Sequence, residues 1–216
     1  MPPIHAVILA VGVTMIGQRL QQIVDAGMRR VTVVIDPQRS SIRARLVRLL
    51  TLLPPVEVAF VDELEAFGEA GALTGIETGD AEVLLCFADP AIELDLGKFV
   101  SVHQERGHDV TLASHHQRQH LAPGELHVDG DAVLGYDEWA RKDFVISSGF
   151  AMLQGRAMAV ARGLATPYDV ADLLRAMLDS GCRVTHWLHG ERWILDEDAE
   201  RALQADADSV IRRQAG

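Results

Sequence analysis

Asp89 is the residue whose position in this sequence best suits metal chemistry. It follows an apolar run, Glu82 to Phe87, that predicts a buried strand. Ligands of open α/β folds bind at the carboxyl ends of the strands, and a carboxylate there can hold a divalent cation. A second interpretation fits equally, because Asp89 also precedes Pro90 and could be a turn or cap residue. The residues themselves leave both interpretations open.

A histidine-rich segment from Ser114 to His120 suggests a zinc site. His116 and His120 have the i, i+4 spacing that places two imidazoles on one helix face. The glutamate that follows the first histidine in such helical motifs is absent, and no cysteine lies nearby. We therefore expect a solvated loop at the mouth of the sheet. His186 and His189 flank Trp187-Leu188 near the last predicted strand and are expected to be ordinary, partly buried residues.

Nucleophilic catalysis finds no support in the serines and histidines. Ser147-Ser148-Gly149 does not resemble a nucleophile elbow, and no Ser/His/Asp triad can be argued. Arg43, Arg45 and Arg48 share one predicted helix. They are expected to form its solvated face, with a partner-binding patch as the alternative.

Apolar runs alternate with amphipathic helical patterns, which is typical of a parallel sheet covered on both faces. Strands are predicted at 4–11, 30–35, 56–61, 82–87, 109–114, 144–153 and 183–188, and helices at 15–26, 40–53, 96–105, 168–180 and 196–214, with a short helix near Gly71. Asp129-Gly130-Asp131 predicts a hairpin between 125–128 and 132–136. Thr166-Pro167 is predicted to cap the helix that follows it. Right-handed crossovers then give a three-layer, mostly parallel α/β domain.

Composition limits the class of partner and the compartment. The net charge of −11 argues against a nucleic-acid partner, because that affinity comes mainly from Lys and Arg. Cys86 and Cys182 are too few for a disulfide framework, so we expect a reducing cytoplasm. No apolar run approaches the ~20 residues of a membrane span, and no basic stretch precedes the first strand. No linker divides the chain, which predicts a single domain over 1–216.

Five short segments, in this order and spacing, resemble one known family. They are Ala6-Val7-Ile8-Leu9-Ala10 as an opening strand, Phe67-Gly68-Glu69-Ala70-Gly71-Ala72-Leu73 beside the pattern L-G-T-A-G-A-L, Ala88-Asp89 beside Gly-Asp, Ser148-Gly149-Phe150 beside N-A-G-I-Y, and Trp193 at the start of W-x-D-I-G-T-P-E-D. The chain thereby resembles the sugar-phosphate nucleotidyltransferases, which join a nucleoside triphosphate to a sugar 1-phosphate. The resemblance implies a Rossmann-like, GT-A type α/β/α fold with a mostly parallel mixed sheet.

The same resemblance implies roles for individual residues. The nucleotide would lie against Ala10, Gly12, Gly68 and Gly71, although a glycine turn that begins a helix also explains the last two. The sugar phosphate would lie against Glu138, Ser147 and Gly149. Asp89 would hold Mg²⁺, with Asp196 as a weaker second ligand.

Departures from the family pattern bear on catalysis. The signature loop G-x-G-T-R-L and its Pro-Lys pair are missing, since only Val13 and Thr14 separate Gly12 from Met15. The Glu-Lys-Pro segment stands as Glu138-Trp139-Ala140, although Arg141 or Lys142 just beyond could restore a cation. Ser147 replaces the family's asparagine. Leu195 stands where the second metal-binding aspartate belongs, and Asp196 comes one position late.

Three functional hypotheses follow. The first is a catalytically impaired, degenerate relative that acts as a regulatory or scaffolding subunit in nucleotide-sugar metabolism, beside a catalytic paralogue or a pathway enzyme. The second is an active, diverged nucleotidyltransferase that transfers NMP from an NTP to a sugar 1-phosphate with Mg²⁺. The third is a sensor that binds a nucleotide or sugar phosphate without turnover. A homo-oligomer is compatible with each of them.

Overall fold

The computed structural model describes residues 2–9, 16–38, 40–63, 67–87, 91–92, 94–121, 123–190 and 193–194. The strands are β1 Ile4–Leu9, β2 Arg30–Ile35, β3 Glu57–Asp62, β4 Glu82–Phe87, β5 Ala91–Ile92, β6 Val110–His120, β7 Glu125–Asp129, β8 Ala132–Asp137, β9 Arg141–Leu153, β10 Val184–Leu188 and β11 Trp193–Ile194. The helices are α1 Ile16–Asp25, α2 Ser40–Leu50, α3 Leu96–Arg106, α4 Gly155–Gly163 and α5 Val170–Asp179, with a 3₁₀ helix at Gly71–Gly75. The predicted final helix at 196–214 lies outside the described residues.

Seven strands form one mixed sheet in the order β10-β6-β9-β4-β1-β2-β3. All neighbouring pairs in this sheet are parallel except those of β9, which runs antiparallel to both β4 and β6. The predicted fold class, a mostly parallel mixed α/β sheet, is confirmed.

Apolar residues on both faces of the central strands create the three layers. Along β1, Ala6 and Ile8 pack in the core that contains α1, α2 and α3, whereas Val7 and Leu9 pack in the core that contains the 3₁₀ helix, α4 and α5. Successive strand residues point to opposite faces, so a strand buried on both sides is apolar throughout. The predicted burial of the apolar runs follows from this arrangement.

An arm extends from the sheet beyond its neighbouring strands. β4 pairs with β9 only as far as Phe150, and β10 pairs with β6 only as far as Ser114. Residues 115–120 and 141–146 therefore pair only with each other, as a two-stranded ribbon. The predicted hairpin, β7 with β8, is confirmed and follows the ribbon as a separate two-stranded sheet. We call the ribbon and the hairpin together the arm.

The prediction of a loop over the histidine-rich segment is wrong. His115 to His120 continue β6 and pair with 141–146 of β9. The polar residues mislead because no layer within the described residues covers the ribbon, so its strands need no continuous apolar face. His116 and His120 lie on a strand and not on a helix, which removes the zinc-motif geometry.

The predicted start of the helix near residue 168 is also wrong. Asp169 is the N-cap of α5, in a capping box with Asp172, and the helix begins at Val170. The Thr166-Pro167 peptide bond is cis and lies before the cap. Helix α4 was not predicted, because its buried residues are mainly the small Ala157 and Ala161 with Met158, which produce little hydrophobic periodicity.

Candidate functional site

The carboxyl ends of β1 and β4 lie side by side in the sheet. Leu9 and Phe87, the last residues of these two strands, are register partners. β2 and β3 follow on one side of β1, and β4 lies on the other, so the connections diverge at this point. Such a switch point in an open α/β sheet is where ligands bind. The predicted site residues Ala10, Gly12 and Asp89 follow these strand ends and lie outside the described residues.

A bulge in β9 lies at the same edge of the sheet. Leu112 pairs with Ala151, but Ser114 pairs with Ser147, so β9 contains two more residues than β6 over this interval. Gly149 lies in the bulge with φ +79°, a left-handed conformation that favours glycine. Bulges next to binding sites redirect side chains. Here the bulge leaves the side chain of Ser147 exposed and buries that of Ser148.

Ser148 is fully buried between two imidazoles. Its Oγ lies 2.9 Å from His115 Nδ1 and 2.6 Å from His189 Nε2. A hydroxyl can donate one hydrogen bond while it accepts others, so one neutral imidazole can accept from Ser148 while the other donates to it. His189 also anchors its own segment, because its backbone N–H donates to Ser114 O at 2.9 Å.

The electrostatics of this cluster favour a neutral His115. Burial lowers the pKa of His115 below its usual value of 6.5, and the nearby His189 and His116 lower it further. The lowered pKa favours His115 as a neutral hydrogen-bonding group of Ser148. Sequence reasoning missed the cluster, because His115, Ser148 and His189 come from three separate segments and form no motif along the chain.

Arg19 is a second feature of this edge that was not predicted from the sequence. It lies on α1 with a fully buried side chain, and its guanidinium donates to Phe87 O at 3.2 Å and Ile92 O at 3.1 Å. The same group lies 4.4 Å from the centre of the Phe150 ring. Burial lowers the pKa of Arg19 to about 10, which leaves it charged at neutral pH. Arg19 thus links the two ends of the segment that contains Asp89.

A sequence signal for Arg19 did exist. Ile16, Leu20 and Ile23 mark the apolar stripe of α1, and Arg19 falls within that stripe at the i+3 position from Ile16. An arginine at a core-facing position of a helix calls for a set of buried acceptors. The carbonyls of Phe87 and Ile92 supply those acceptors.

The predicted nucleotide-site glycines serve close packing in this structure. Gly68 has φ +74°, and a Cβ built there would lie 2.7 Å from Tyr168 O. A Cβ on Gly71 would lie 3.1 Å from Phe67 Cβ and 3.4 Å from Thr166 Cγ2. Gly71 begins the 3₁₀ helix, as predicted. The space beside Gly68 is therefore filled by the backbone of Tyr168.

The predicted sugar-phosphate residues do not come together. Ser147 and Gly149 lie in the bulge, whereas Arg141 and Lys142 lie at the outer end of β9 and are exposed. At about 3.3 Å per residue, the five residues from Lys142 to Ser147 span roughly 17 Å. Lys142 forms an ion pair of 2.7 Å with Glu125 of the hairpin. Glu138 is exposed in the connection between β8 and β9.

The metal prediction concerns Asp89 and Asp196. Asp196, like Asp89, lies outside the described residues. Within the described ranges, no group of three His, Cys, Asp or Glu side chains is arranged to hold a metal ion. The resemblance implies Mg²⁺, which prefers oxygen ligands. The described oxygen groups at this edge include the hydroxyls of Ser147 and Ser148, and Ser148 is already bound by two histidines.

Comparisons with known proteins give structural matches alone. No protein-family model matches the sequence, and no curated protein matches it either. A structure of a proposed glucose-1-phosphate thymidylyltransferase from Bacillus anthracis, solved with sucrose, has a TM-score of 0.70 at 13% identity and covers 94% of this chain and 95% of its own. HddC from Yersinia pseudotuberculosis has a TM-score of 0.67 at 16% identity, covering 95% of this chain and 99% of its own.

A second HddC structure, complexed with GMP-PN, has a TM-score of 0.66 at 14% identity over the same shares of the two chains. None of the described helices has the length and apolar character to cross a membrane.

At identities of 13%, 16% and 14%, the likeness to the three solved structures concerns the fold. The chain therefore has a nucleotidyltransferase-like α/β fold, shared with the thymidylyltransferase and HddC structures over nearly its whole length.

Proposed function

We propose that this protein binds a nucleotide or a sugar phosphate at the carboxyl edge of its sheet and has lost efficient nucleotidyl transfer. It would act as a regulatory or scaffolding subunit beside a catalytic paralogue or a pathway enzyme of nucleotide-sugar metabolism. The fold supports the binding half of this proposal, because β1 and β4 end side by side at a switch point where such folds bind ligands. The HddC complex with GMP-PN adds support from a protein of similar fold.

The placement of the basic side chains supports the second part of the proposal, the loss of efficient nucleotidyl transfer. Phosphoryl transfer depends on cations that neutralise the developing charge, and each lost contribution costs about 2–4 kcal/mol. Arg141 and Lys142, the candidate replacements, lie roughly 17 Å or more along the strand from Ser147. Arg19 lies at the correct edge, but it is buried against the carbonyls of Phe87 and Ile92. Positions 10–15 contain no basic residue.

Ligand binding and catalysis are tested separately. Thermal unfolding of the purified chain is measured with nucleoside triphosphates, nucleoside diphosphates and sugar phosphates, with and without Mg²⁺. A ligand that binds only the folded state raises the midpoint, by an amount equivalent to about 2.7 kcal/mol at one hundred times its Kd. A Ser147→Trp variant would block the exposed face of the bulge, and Val47→Trp on α2 is the matched control. No shift with any of these ligands would contradict the binding proposal.

Pyrophosphate release from nucleoside triphosphates, with sugar 1-phosphates as acceptors, tests the loss of catalysis. We expect no Mg²⁺-dependent release above that of an Asp89→Ala variant. Release that Asp89→Ala abolishes would instead establish the active, diverged nucleotidyltransferase. Addition of the chain to a catalytic paralogue tests the regulatory role, and an unchanged rate and no co-purification would count against it.

A further inference from the structure

A groove crosses the face of the sheet at β1, β2 and β3. These strands form its floor, and residues 75–77, at and just after the end of the 3₁₀ helix, form its wall. The groove has a volume of about 210 Å³. That volume is below the range of sites for drug-sized ligands, so the groove suits a small metabolite.

Charged side chains gather at the end of the groove where the strands begin. Arg30 and Glu57 are register partners on β2 and β3, so their strands lie about 4.8 Å apart there. Arg30 Nη2 donates to Glu77 O at 3.2 Å, which brings Glu77 to the same end. Within the described residues, none of these three side chains forms an ion pair. Their charges are therefore available to a ligand.

A buried histidine forms the floor beside these charges. His5 is the register partner of Arg30 on β1 and is 3% exposed. Its Nε2 lies 2.8 Å from Thr32 Oγ1, and its Nδ1 has no hydrogen-bond partner among the described residues. Burial lowers the pKa of His5 below 6.5, Arg30 lowers it further, and Glu57 raises it by a smaller amount. The floor is therefore neutral at His5 and retains hydrogen-bonding capacity that the described residues leave unused.

The groove becomes apolar farther along β3. Ala59 and Val61 follow Glu57 at alternate positions, so all three side chains point to one face of the sheet. Ile76 contributes an apolar side chain to the wall. We call Ala59, Val61 and Ile76 the apolar end. From Glu57 to Val61 the floor extends roughly 13 Å, so charged and apolar groups follow one another within a short distance.

We propose that this groove binds an α-amino acid with an apolar side chain. Arg30 binds the α-carboxylate, Glu57 and Glu77 bind the α-ammonium group, and the apolar end contacts the side chain. One positive and two negative side chains give the lining a net negative charge, which disfavours phosphates and other anions. A simple amine would leave Arg30 unused, and a simple carboxylate would leave both glutamates unused. A zwitterion forms charge-assisted hydrogen bonds with all three residues.

The groove is separate from the carboxyl edge, where nucleotide binding is proposed. Arg30 and Glu57 are the first residues of their strands, whereas Leu9 and Phe87 at the carboxyl edge are the last residues of theirs. Both ligands can therefore bind at the same time. Failure of either binding proposal leaves the other unaffected.

Isothermal titration calorimetry with L-leucine tests the proposal on the full chain. Two analogues divide the zwitterion: L-leucinamide lacks the carboxylate, and 4-methylpentanoate lacks the ammonium group. Each should bind about tenfold more weakly than L-leucine or less tightly still, because it loses a hydrogen bond to a charged group. Glycine should also bind more weakly, on the order of tenfold, since it lacks the side chain that contacts the apolar end.

Substitutions locate the binding to the groove. Arg30→Gln and Glu57→Gln should each weaken L-leucine binding about tenfold or more. Arg45→Gln on α2 and Glu105→Gln on α3 are the matched controls, because both residues are exposed and lie outside the groove. Thermal unfolding of all four variants checks that they remain folded.

Three results would overturn the proposal. The first is the absence of saturable L-leucine binding at millimolar concentrations. The second is binding of L-leucinamide or 4-methylpentanoate as tight as that of L-leucine, which would exclude recognition of the zwitterion. The third is L-leucine binding that Arg30→Gln and Glu57→Gln leave unchanged, which would place the amino acid outside this groove.

Discussion

Ser148 illustrates how a single buried hydroxyl can organise a site. It joins His115 on β6 to His189 after β10, and it lies in the β9 bulge between them. The three residues come from segments far apart in the sequence and meet because β6 lies between β9 and β10 in the sheet. The cluster fixes the backbone that presents Ser147 and Gly149 at the carboxyl edge.

Replacement of Ser148 by alanine is therefore expected to destabilise the protein. Two buried imidazoles would each lose a hydrogen-bond partner, at about 1–3 kcal/mol for buried polar groups left unsatisfied. Ser147→Ala is the matched control, because Ser147 is exposed and its replacement should change stability by about 0.5 kcal/mol or less. Urea unfolding of the three proteins measures the difference. Equal stabilities of the two variants would show that the cluster has no structural role.

His103 provides a test of pH dependence. It is fully buried, its Nδ1 lies 2.8 Å from Thr111 Oγ1, and its Nε2 has no partner in the described residues. Burial lowers its pKa below 6.5; the nearby Glu82 raises it and His108 lowers it by smaller amounts. Protonation would therefore create a buried N–H without an acceptor, which burial penalises.

The direction in which His103 changes stability with pH follows from proton uptake by the unfolded state. As pH falls below 6.5, unfolded His103 binds a proton that the folded protein resists, so the free energy of unfolding decreases until the folded pKa is passed. Above pH 6.5 both states are neutral and the dependence vanishes. His103→Gln should reduce the slope of stability against pH below 6.5, whereas His120→Gln on the exposed arm should leave it unchanged. Denaturant unfolding of the wild type and both variants across this pH range measures these slopes. Equal slopes for the wild type and His103→Gln would contradict the prediction.

Elements in this protein are positioned by close backbone contacts as well as by apolar faces. The segment before the 3₁₀ helix packs directly on the segment before α5. Ala70 N donates to Tyr168 O at 3.2 Å, and Tyr168 N donates to Phe67 O at 3.1 Å. Gly68 lies between these two bonds and allows the approach. The L-G-T-A-G-A-L resemblance therefore coincides with a junction between two elements.

Gly68→Ala should disrupt this junction. Its φ of +74° costs an L-residue roughly 1–2 kcal/mol. The overlap with the Tyr168 backbone adds about 1–3 kcal/mol of strain. Gly79→Ala is the matched control, because Gly79 has φ +58° and open space around its Cβ position, so only the conformational penalty applies. Thermal unfolding of both variants should show the larger loss for Gly68→Ala, and similar losses would mean that the junction adapts.

At the scale of the whole molecule, stability should be distributed unevenly between the sheet and the arm. β1 and β4 are buried on both faces at the centre of the sheet, whereas the hairpin strands pair only with each other and are exposed. Local opening is easiest where few apolar contacts protect the backbone hydrogen bonds.

Native-state hydrogen exchange can measure this difference. Amides of β7 and β8 should exchange much faster than those of β1 and β4. Hairpin amides protected as strongly as those of β1 would contradict this uneven distribution of stability.

The sequence predicted the regular parts of the fold closely. The strands at 30–35 and 82–87 have the predicted bounds, and the hairpin around Gly130 was also predicted. These elements are specified locally, by continuous apolar runs and by a turn sequence. The histidine-rich part of β6 was not predictable in this way. Its strand conformation depends on pairing with residues 141–146, which lie more than twenty positions away.

The sequence by itself determined the α/β class, the order of the main elements and the absence of basic residues after the first strand, because each of these depends on residue type and local periodicity. The tertiary structure alone decided which polar residues meet. It placed Arg19 against Phe87 O, enclosed Ser148 between two histidines, and moved Lys142 away from Ser147 along an extended strand. The physical reason is that sheet order and strand register set these distances, and both result from packing among segments that are remote in the chain.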